Sequence, residues 1–303
     1  MGPTSSMWRA AIVAMGLSAF ASSACCKVRI TPDSFVLHRA VPLPVMSETE
    51  SRANVELAVS PGVVLRGWYL HAPGNRRLVI FFHGNGAGVL SSAWALNWLG
   101  AEFDADVLAF DSRGFGFSDG PADIDAMIDD SLRIYDYAIK QGRSEETKQG
   151  RSEEPPIVIG QSMGSSSAIH IGANRPATGL LLLAPLISYR DVIEAIDRAA
   201  PWYVHVEADE TLIGLRSSPL LDLAHIRAAT LIVGAAEDRL ATPRVVARVH
   251  DLCAAPVRQT CTVQGGHEDV TAINPRVRAC IDDFRRNLPS PAHPAITGVR
   301  EDG

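Results

Sequence analysis

The chemistry of this chain centres on a serine set between glycines. The segment Gly160-Gln161-Ser162-Met163-Gly164 closes the β-branched run Ile157-Val158-Ile159, and the small residues Ser165, Ser166, Ser167 and Ala168 follow. That order reads as strand, sharp turn and helix, with a hydroxyl at the turn. The glycines are expected because a Cβ at either position would collide with the neighbouring strand or helix. The helix N-terminus behind the serine can stabilise a developing negative charge. The chemistry so implied is nucleophilic attack on an acyl carbon. The five-residue pattern alone is weak, because it is built from two common residue types. Its weight comes from the strand before it, the helix after it and the partners found downstream.

A serine hydroxyl needs a base, and the base needs an orienting acid. The base is expected at His267, in Gly265-Gly266-His267-Glu268-Asp269, directly after an apolar strand. The other histidines are worse placed. His170 lies two helical turns beyond Ser162, His250 is in a helix, and His293 is in a proline-rich tail. The acid is expected at the end of the preceding strand, Leu231-Ile232-Val233-Gly234-Ala235-Ala236-Glu237-Asp238, with Asp238 preferred and Glu237 the alternative. Ser162, Asp238 and His267 then follow in the order nucleophile, acid, base. The backbone N–H groups of Met163 and Asn85 are the expected oxyanion donors. Met163 follows the nucleophile, and Asn85 lies in His83-Gly84-Asn85, after an earlier strand.

These residues must be carried by a sheet. Strands are expected at Asn54 to Val59 and Val63 to His71, joined by the turn Ser60-Pro61-Gly62. The buried runs Leu78 to Phe82, Val107 to Phe110, Ile157 to Ile159, Leu180 to Leu183, Leu231 to Val233 and Gln259 to Val263 supply the rest. Helical spacing is read at Leu90 to Leu99, Ile124 to Lys140, after Ser162, and at Arg190 to Ala199, Arg244 to Leu252 and Pro275 to Leu288. Apolar strands alternating with helices argue an α/β fold with a mostly parallel sheet covered on both faces, the first strands being antiparallel across their hairpin.

With 303 residues, 47% hydrophobic, the chain suits one generous domain. A net charge of −6 without a dense Lys/Arg cluster argues against a nucleic-acid partner. Arg9, the apolar run Ala10 to Phe20 and the small residues before Cys25-Cys26 have the form of a secretory signal, and the run is too short to span a membrane. Residues 1–25 are therefore read as a signal peptide. Ala19-Phe20-Ala21 fits ordinary cleavage. Ser22-Ser23-Ala24-Cys25 resembles a bacterial lipoprotein box, which lacks here its usual leucine, and the paired cysteines favour this second reading, with lipidated Cys25 as a membrane anchor. Residues 26–51 are read as an irregular tether, 52–290 as the folded domain and 291–303 as a disordered tail.

Export permits disulfides. Cys253 and Cys261 are open to pairing across a turn near Pro256, leaving Cys280 over; three buried thiols is the other reading. No Cys/His spacing suggests a metal site, and no cofactor is called for. Lys140 to Thr147 and Lys148 to Pro155 repeat at seven of eight positions, a tandem duplication that lengthens a polar loop.

The motifs Phe82-His83-Gly84-Asn85-Gly86, Asp111-Ser112-Arg113-Gly114-Phe115-Gly116-Phe117-Ser118, Gly160 to Gly164, Ala184-Pro185, Gly234 to Asp238 and Gly266-His267 together resemble the α/β-hydrolase superfamily. The resemblance is greatest to its small-cap branch of serine aminopeptidase S33-like, or BEM46-like, hydrolases, and runs from about Leu57 to Leu288. It implies an eight-stranded, mostly parallel sheet with helices on both faces and a small cap, about 186–221. It also implies a serine hydrolase of esters or thioesters, with a peptidase as the nearest variant. The cap segment carries Ile187, Tyr189, Ile193, Ile196, Trp202, Tyr203 and Leu212, which suits a small-molecule acyl substrate or simply packs the lid onto the core. A non-catalytic binding protein of the same fold is the remaining reading. It is disfavoured because such proteins typically lack one of the three site residues.

Overall fold

The computed structural model describes residues 26–31, 52–71, 77–142, 154–210 and 219–288. Strand β1 (Cys26–Ile30) is followed by β2 (Arg52–Ser60), β3 (Val63–Leu70), β4 (Arg77–Phe82), β5 (Ala105–Phe110), β6 (Ile157–Gln161), β7 (Gly179–Leu183), β8 (Val204–Ala208), β9 (Ala229–Ala235) and β10 (Arg258–Val263). The described helices are α1 (Ala93–Phe103), α2 (Ile124–Gly142), α3 (Gly164–Asn174), α4 (Tyr189–Ala199), the single turn α5 (Pro219–Asp222), α6 (Pro243–Leu252) and α7 (Pro275–Arg286).

Eight strands form one sheet in the order β10-β9-β7-β6-β4-β5-β3-β2. All neighbours pair parallel except β3, which runs antiparallel to both β2 and β5. The hairpin at Pro61-Gly62 explains the exception, since two residues can reverse a chain but cannot carry it back to the same end of a sheet.

The strand pleat divides the core in two. Val79, Phe81, Val107, Ala109, Ile157, Ile159, Leu181, Leu183, Leu231 and Val233 pack on one face, against α1 and α7. Leu78, Ile80, Phe82, Leu108, Phe110, Val158, Leu180, Leu182 and Ile232 pack on the other, against α2, α3 and α6. A strand apolar at every position is stable only where both faces are covered, which is why these runs show no polar alternation. The arrangement leaves the C-terminal strand ends as the edge where loops can converge on a ligand.

Two strands were not foreseen. Cys26–Ile30, expected within an irregular tether, instead forms β1 and pairs parallel with β8, from the excursion between β7 and β9, in a separate two-stranded ribbon. Its alternation of polar Lys27 and Arg29 with apolar Val28 and Ile30 is the signature of a strand with one face inward, and Ile30 is fully buried in the core. The signal segment, residues 143–153 of the duplicated stretch, part of the cap segment (211–218) and the tail 291–303 lie outside the described residues.

The cysteine pairing also differs from expectation. Cys261 on β10 is bonded to Cys280 on α7, with Cα atoms 6.3 Å apart, and Cys253 is a free buried thiol. The layering of the helices supplies the reason. Cys261 packs against the same core cluster as α7, whereas Cys253, at the C-terminus of α6, belongs to the cluster on the opposite face of the sheet.

Candidate active site

Ser162 stands between the end of β6 and the start of α3, with φ 51°, a left-handed conformation unusual for a residue with a side chain. Its N–H donates to Leu183 O at 2.7 Å, and its carbonyl accepts from Ser165 N at 3.0 Å, so strand ladder and first helical turn overlap at this one residue. That overlap demands the flanking glycines. A Cβ on Gly160 would lie 2.7 Å from the Ser165 Cα, and one on Gly164 would run into the carbonyl oxygens of Phe82 and His83. The backbone is held sharply bent, and the Ser162 hydroxyl is held at the C-terminal edge of the sheet.

The loop after β10 supplies His267. Gly265, at φ 100°, turns the chain, and the Asp269 carboxylate accepts from Gly266 N at 2.8 Å. Asn274 donates to the Asp269 carbonyl at 2.7 Å, closing the loop onto the start of α7. His267 Nε2 thereby sits 2.8 Å from Ser162 Oγ. Its Nδ1 sits 2.7 Å from Asp238 Oδ2. A carboxylate only accepts, so Nδ1 carries the proton and Nε2 is left to accept from the serine hydroxyl.

Asp238 follows β9 and its side chain is wholly buried. A buried carboxylate needs donors, and this one has three. Leu240 N and Ala241 N donate to Oδ1 at 2.8 and 2.9 Å, and His267 donates to Oδ2. Thr242 then caps α6 through Val245 N, with Pro243 in the first turn. Glu237, the alternative acid, is exposed and holds the loop only through its backbone N–H to Gly265 O.

The candidate oxyanion donors lie on either side of Ser162. Met163 is buried at the head of α3. Gly84 abuts the serine, so closely that a Cβ there would sit 3.2 Å from the Ser162 Cβ and 3.8 Å from its Oγ, and Asn85 is the next residue. The Gly84 loop is braced by the loop after β5. His83 is buried, donates from Nδ1 to Gly84 O at 2.8 Å and accepts from Ser112 N on Nε2 at 3.2 Å, with its ring edge-on to Phe115. Burial holds the His83 imidazole below its ordinary value, so it stays neutral as these two bonds require. Asp111 completes the brace by accepting from Val89 N at 2.7 Å and Phe117 N at 3.0 Å. Arg113 reaches outward and pairs in two-pronged fashion with buried Asp130 of α2, at 2.7 and 2.9 Å.

The sequence marks these two loops as motifs but does not assign their partners. The signal for them is the density of glycine around an aspartate and a histidine at two adjacent strand ends. Other hydroxyls and histidines near the site hold the fold together. Ser118 donates to Asp111 O at 2.6 Å, Ser165 donates to Gly160 O at 3.1 Å, and His170 is tied to Asp222 at 2.8 Å, while His293 lies outside the described residues. Among the described residues no group of three His, Cys, Asp or Glu side chains could share a metal ion.

The overall fold agrees with solved structures. An esterase from Pyrococcus furiosus, Pf2001, superposes with a TM-score of 0.64 at 18% identity, covering 79% of this chain and 92% of that one. A family model described as serine aminopeptidase, S33, matches residues 73–212. The chain has the α/β-hydrolase fold. Sequence relatives include the uncharacterized protein YfhR of Salmonella typhimurium, 30% identical over 132 residues, which are 42% of this chain and 41% of that protein. The match thus spans less than half of that relative's length. The uncharacterized protein Rv2307c of Mycobacterium tuberculosis is 25% identical over 258 residues, covering 82% of this chain and 84% of the relative.

Proposed function

We propose that this chain is an α/β-hydrolase and a serine hydrolase that cleaves carboxylic esters or thioesters through Ser162, His267 and Asp238 and an acyl-enzyme intermediate. The observation that carries the reading is the unbroken row Ser162 Oγ, His267 Nε2, His267 Nδ1, Asp238 Oδ2, with links of 2.8 and 2.7 Å. In that row His267 takes the hydroxyl proton as Ser162 Oγ bonds to the acyl carbon. The carbonyl oxygen gains negative charge opposite the N–H groups of Met163 and Asn85, each donor contributing about 3 kcal/mol of barrier lowering. The tetrahedral adduct collapses when His267 returns the proton to the departing alkoxide or thiolate, leaving an acyl-serine. Water then repeats the two steps, its proton going to His267 and from there to Ser162, and releases the acid. Asp238 holds the imidazole in the Nδ1–H form and stabilises its cation.

Esters are preferred as substrate because the superposing structures include esterases, Pf2001 among them and a cold-adapted esterase from an Arctic intertidal metagenomic library. The match to the serine aminopeptidase, S33, family favours a second reading, an aminopeptidase using the same row. Hydrolysis of p-nitrophenyl esters of increasing acyl length, beside an aminoacyl p-nitroanilide, separates the two. The proposal expects turnover of the esters and little or none of the anilide. Turnover of the anilide alone overturns the ester reading.

A further inference from the structure

The most exposed large apolar side chain among the described residues is Trp202, 92% exposed, and beside it Tyr203 is 51% exposed, so this pair does not pack the cap onto the core, one of the two roles expected of it. The two rings meet edge to face, 5.7 Å between centres. They stand at the tip of a turn closed by Val204 N donating to Pro201 O at 2.8 Å, so the chain holds them out rather than folding them in. A tryptophan left in water forgoes one of the largest burial gains of any side chain.

What lies next to this pair is the start of β1. The ribbon is parallel and its first rung joins Cys26 to Val204, so the chain enters β1 at the same end at which Trp202 and Tyr203 precede β8. One peptide bond upstream of Cys26 is Cys25, the residue read as the lipid attachment point. The ribbon is tied to the domain through Ile30, which is buried in the core. Its own two strands are joined further by Asp209 N donating to Ile30 O at 2.8 Å and by Lys27 pairing with Glu207 at 2.9 Å. Helix α4 packs on β8, and its first residue, Tyr189, is buried beside Ser166 of α3, the helix that begins behind Ser162.

We propose that Trp202 and Tyr203 form a membrane-interface foot, which seats the β1–β8 end of the molecule in the headgroup layer next to the lipid on Cys25 and turns the site toward acyl esters carried in the bilayer. Amphipathic aromatic rings favour the headgroup layer, and one acyl chain alone anchors only marginally, so a second contact beside it is physically useful. The inference rests on the lipidation reading of residues 1–25 and, for its substrate, on the serine-hydrolase reading.

The test uses the full chain, expressed in a host that processes lipoproteins and reconstituted in phosphatidylethanolamine–phosphatidylglycerol vesicles with brominated acyl chains. Bromine should quench a part of the tryptophan emission that is missing from Trp202→Phe. In the double variant Trp202→Ser, Tyr203→Ser, hydrolysis of a long-chain ester embedded in the vesicles should fall roughly tenfold, while a soluble p-nitrophenyl ester is turned over as before. Chain bound to vesicles with Trp202 unquenched overturns the foot and leaves the anchor standing. Chain that stays off vesicles, with or without Cys25→Ser, overturns both. A double variant that loses self-association in sedimentation, with no change on vesicles, assigns the pair to a second copy and also overturns the proposal. Failure of the wild type on every ester counts against the serine-hydrolase reading, and the quenching result still decides the foot.

Discussion

The backbone N–H of Ser112 donates to Nε2 of His83 across 3.2 Å, tying the loop after β5 to the loop that abuts Ser162. The bond requires a neutral imidazole, since a protonated ring has no lone pair to offer. Burial holds the His83 pKa below its ordinary value of 6.5. A depressed native pKa means the unfolded chain takes up the proton first. The associated stability is therefore complete above 6.5 and is lost as the pH falls below that toward the native value. Denaturant midpoints measured against pH should fall on the acid side, and His83→Asn should flatten that slope. The same variant should cost about 1–3 kcal/mol at neutral pH, because the Ser112 N–H loses its partner. Parallel curves for wild type and variant contradict this account of the brace.

The acid position can be decided by two conservative amides. Asp238→Asn keeps the volume but removes the acceptor that fixes the imidazole tautomer, and an equivalent change in a related arrangement costs about 10⁴-fold in turnover. Glu237 is exposed and should tolerate Glu237→Gln with activity near wild type. Steady-state kinetics on one ester suffices. A crippled Glu237→Gln beside a normal Asp238→Asn reverses the assignment.

The serine turn should be intolerant of the smallest possible enlargement. Gly164→Ala drives a methyl into the Phe82 and His83 carbonyls, and Gly160→Ala drives one into α3, each at a cost of about 3 kcal/mol or more. Gly266, next to His267, has nothing within 4 Å of where its Cβ would stand, so Gly266→Ala should change stability by less than about 0.5 kcal/mol. Urea unfolding of the three variants makes the comparison, and equal stabilities contradict it.

Peptide mapping without reduction should recover Cys261 linked to Cys280 and Cys253 as a thiol. The bond closes a loop of 19 residues, so the double serine variant should lose roughly 3 kcal/mol of stability. Recovery of a Cys253–Cys261 peptide contradicts the pairing.

The eight strands of the main sheet were legible because each is either wholly apolar or bounded by turn residues, as Ile157 to Ile159 is by Gly160. Ser162, Asp238 and His267 were legible because each follows such a strand, and strand ends in a parallel sheet share one edge. The ribbon was not legible. Each of its strands is five residues long, and β8, Val-His-Val-Glu-Ala, has meaning only once Cys26–Ile30 lies beside it. Pairing between residues 26 and 204 is information no local window contains. The disulfide escaped for a similar reason. Spacing put Cys253 near Cys261, but α6 holds Cys253 on one face of the sheet while Cys261 packs on the other, and only the packing of α7 on β10 brings Cys280 within reach. The roles of His83 and Asp111 were hidden because their partners are backbone groups of another loop.

The most direct test of the central claim, that Ser162 is the nucleophile, is covalent labelling with a fluorophosphonate followed by mass spectrometry of the peptides. The account predicts one adduct, on Ser162, absent from Ser162→Ala and strongly slowed in His267→Ala, with both variants folded. An adduct that persists in Ser162→Ala, or one found on Ser118 or Ser165, contradicts it.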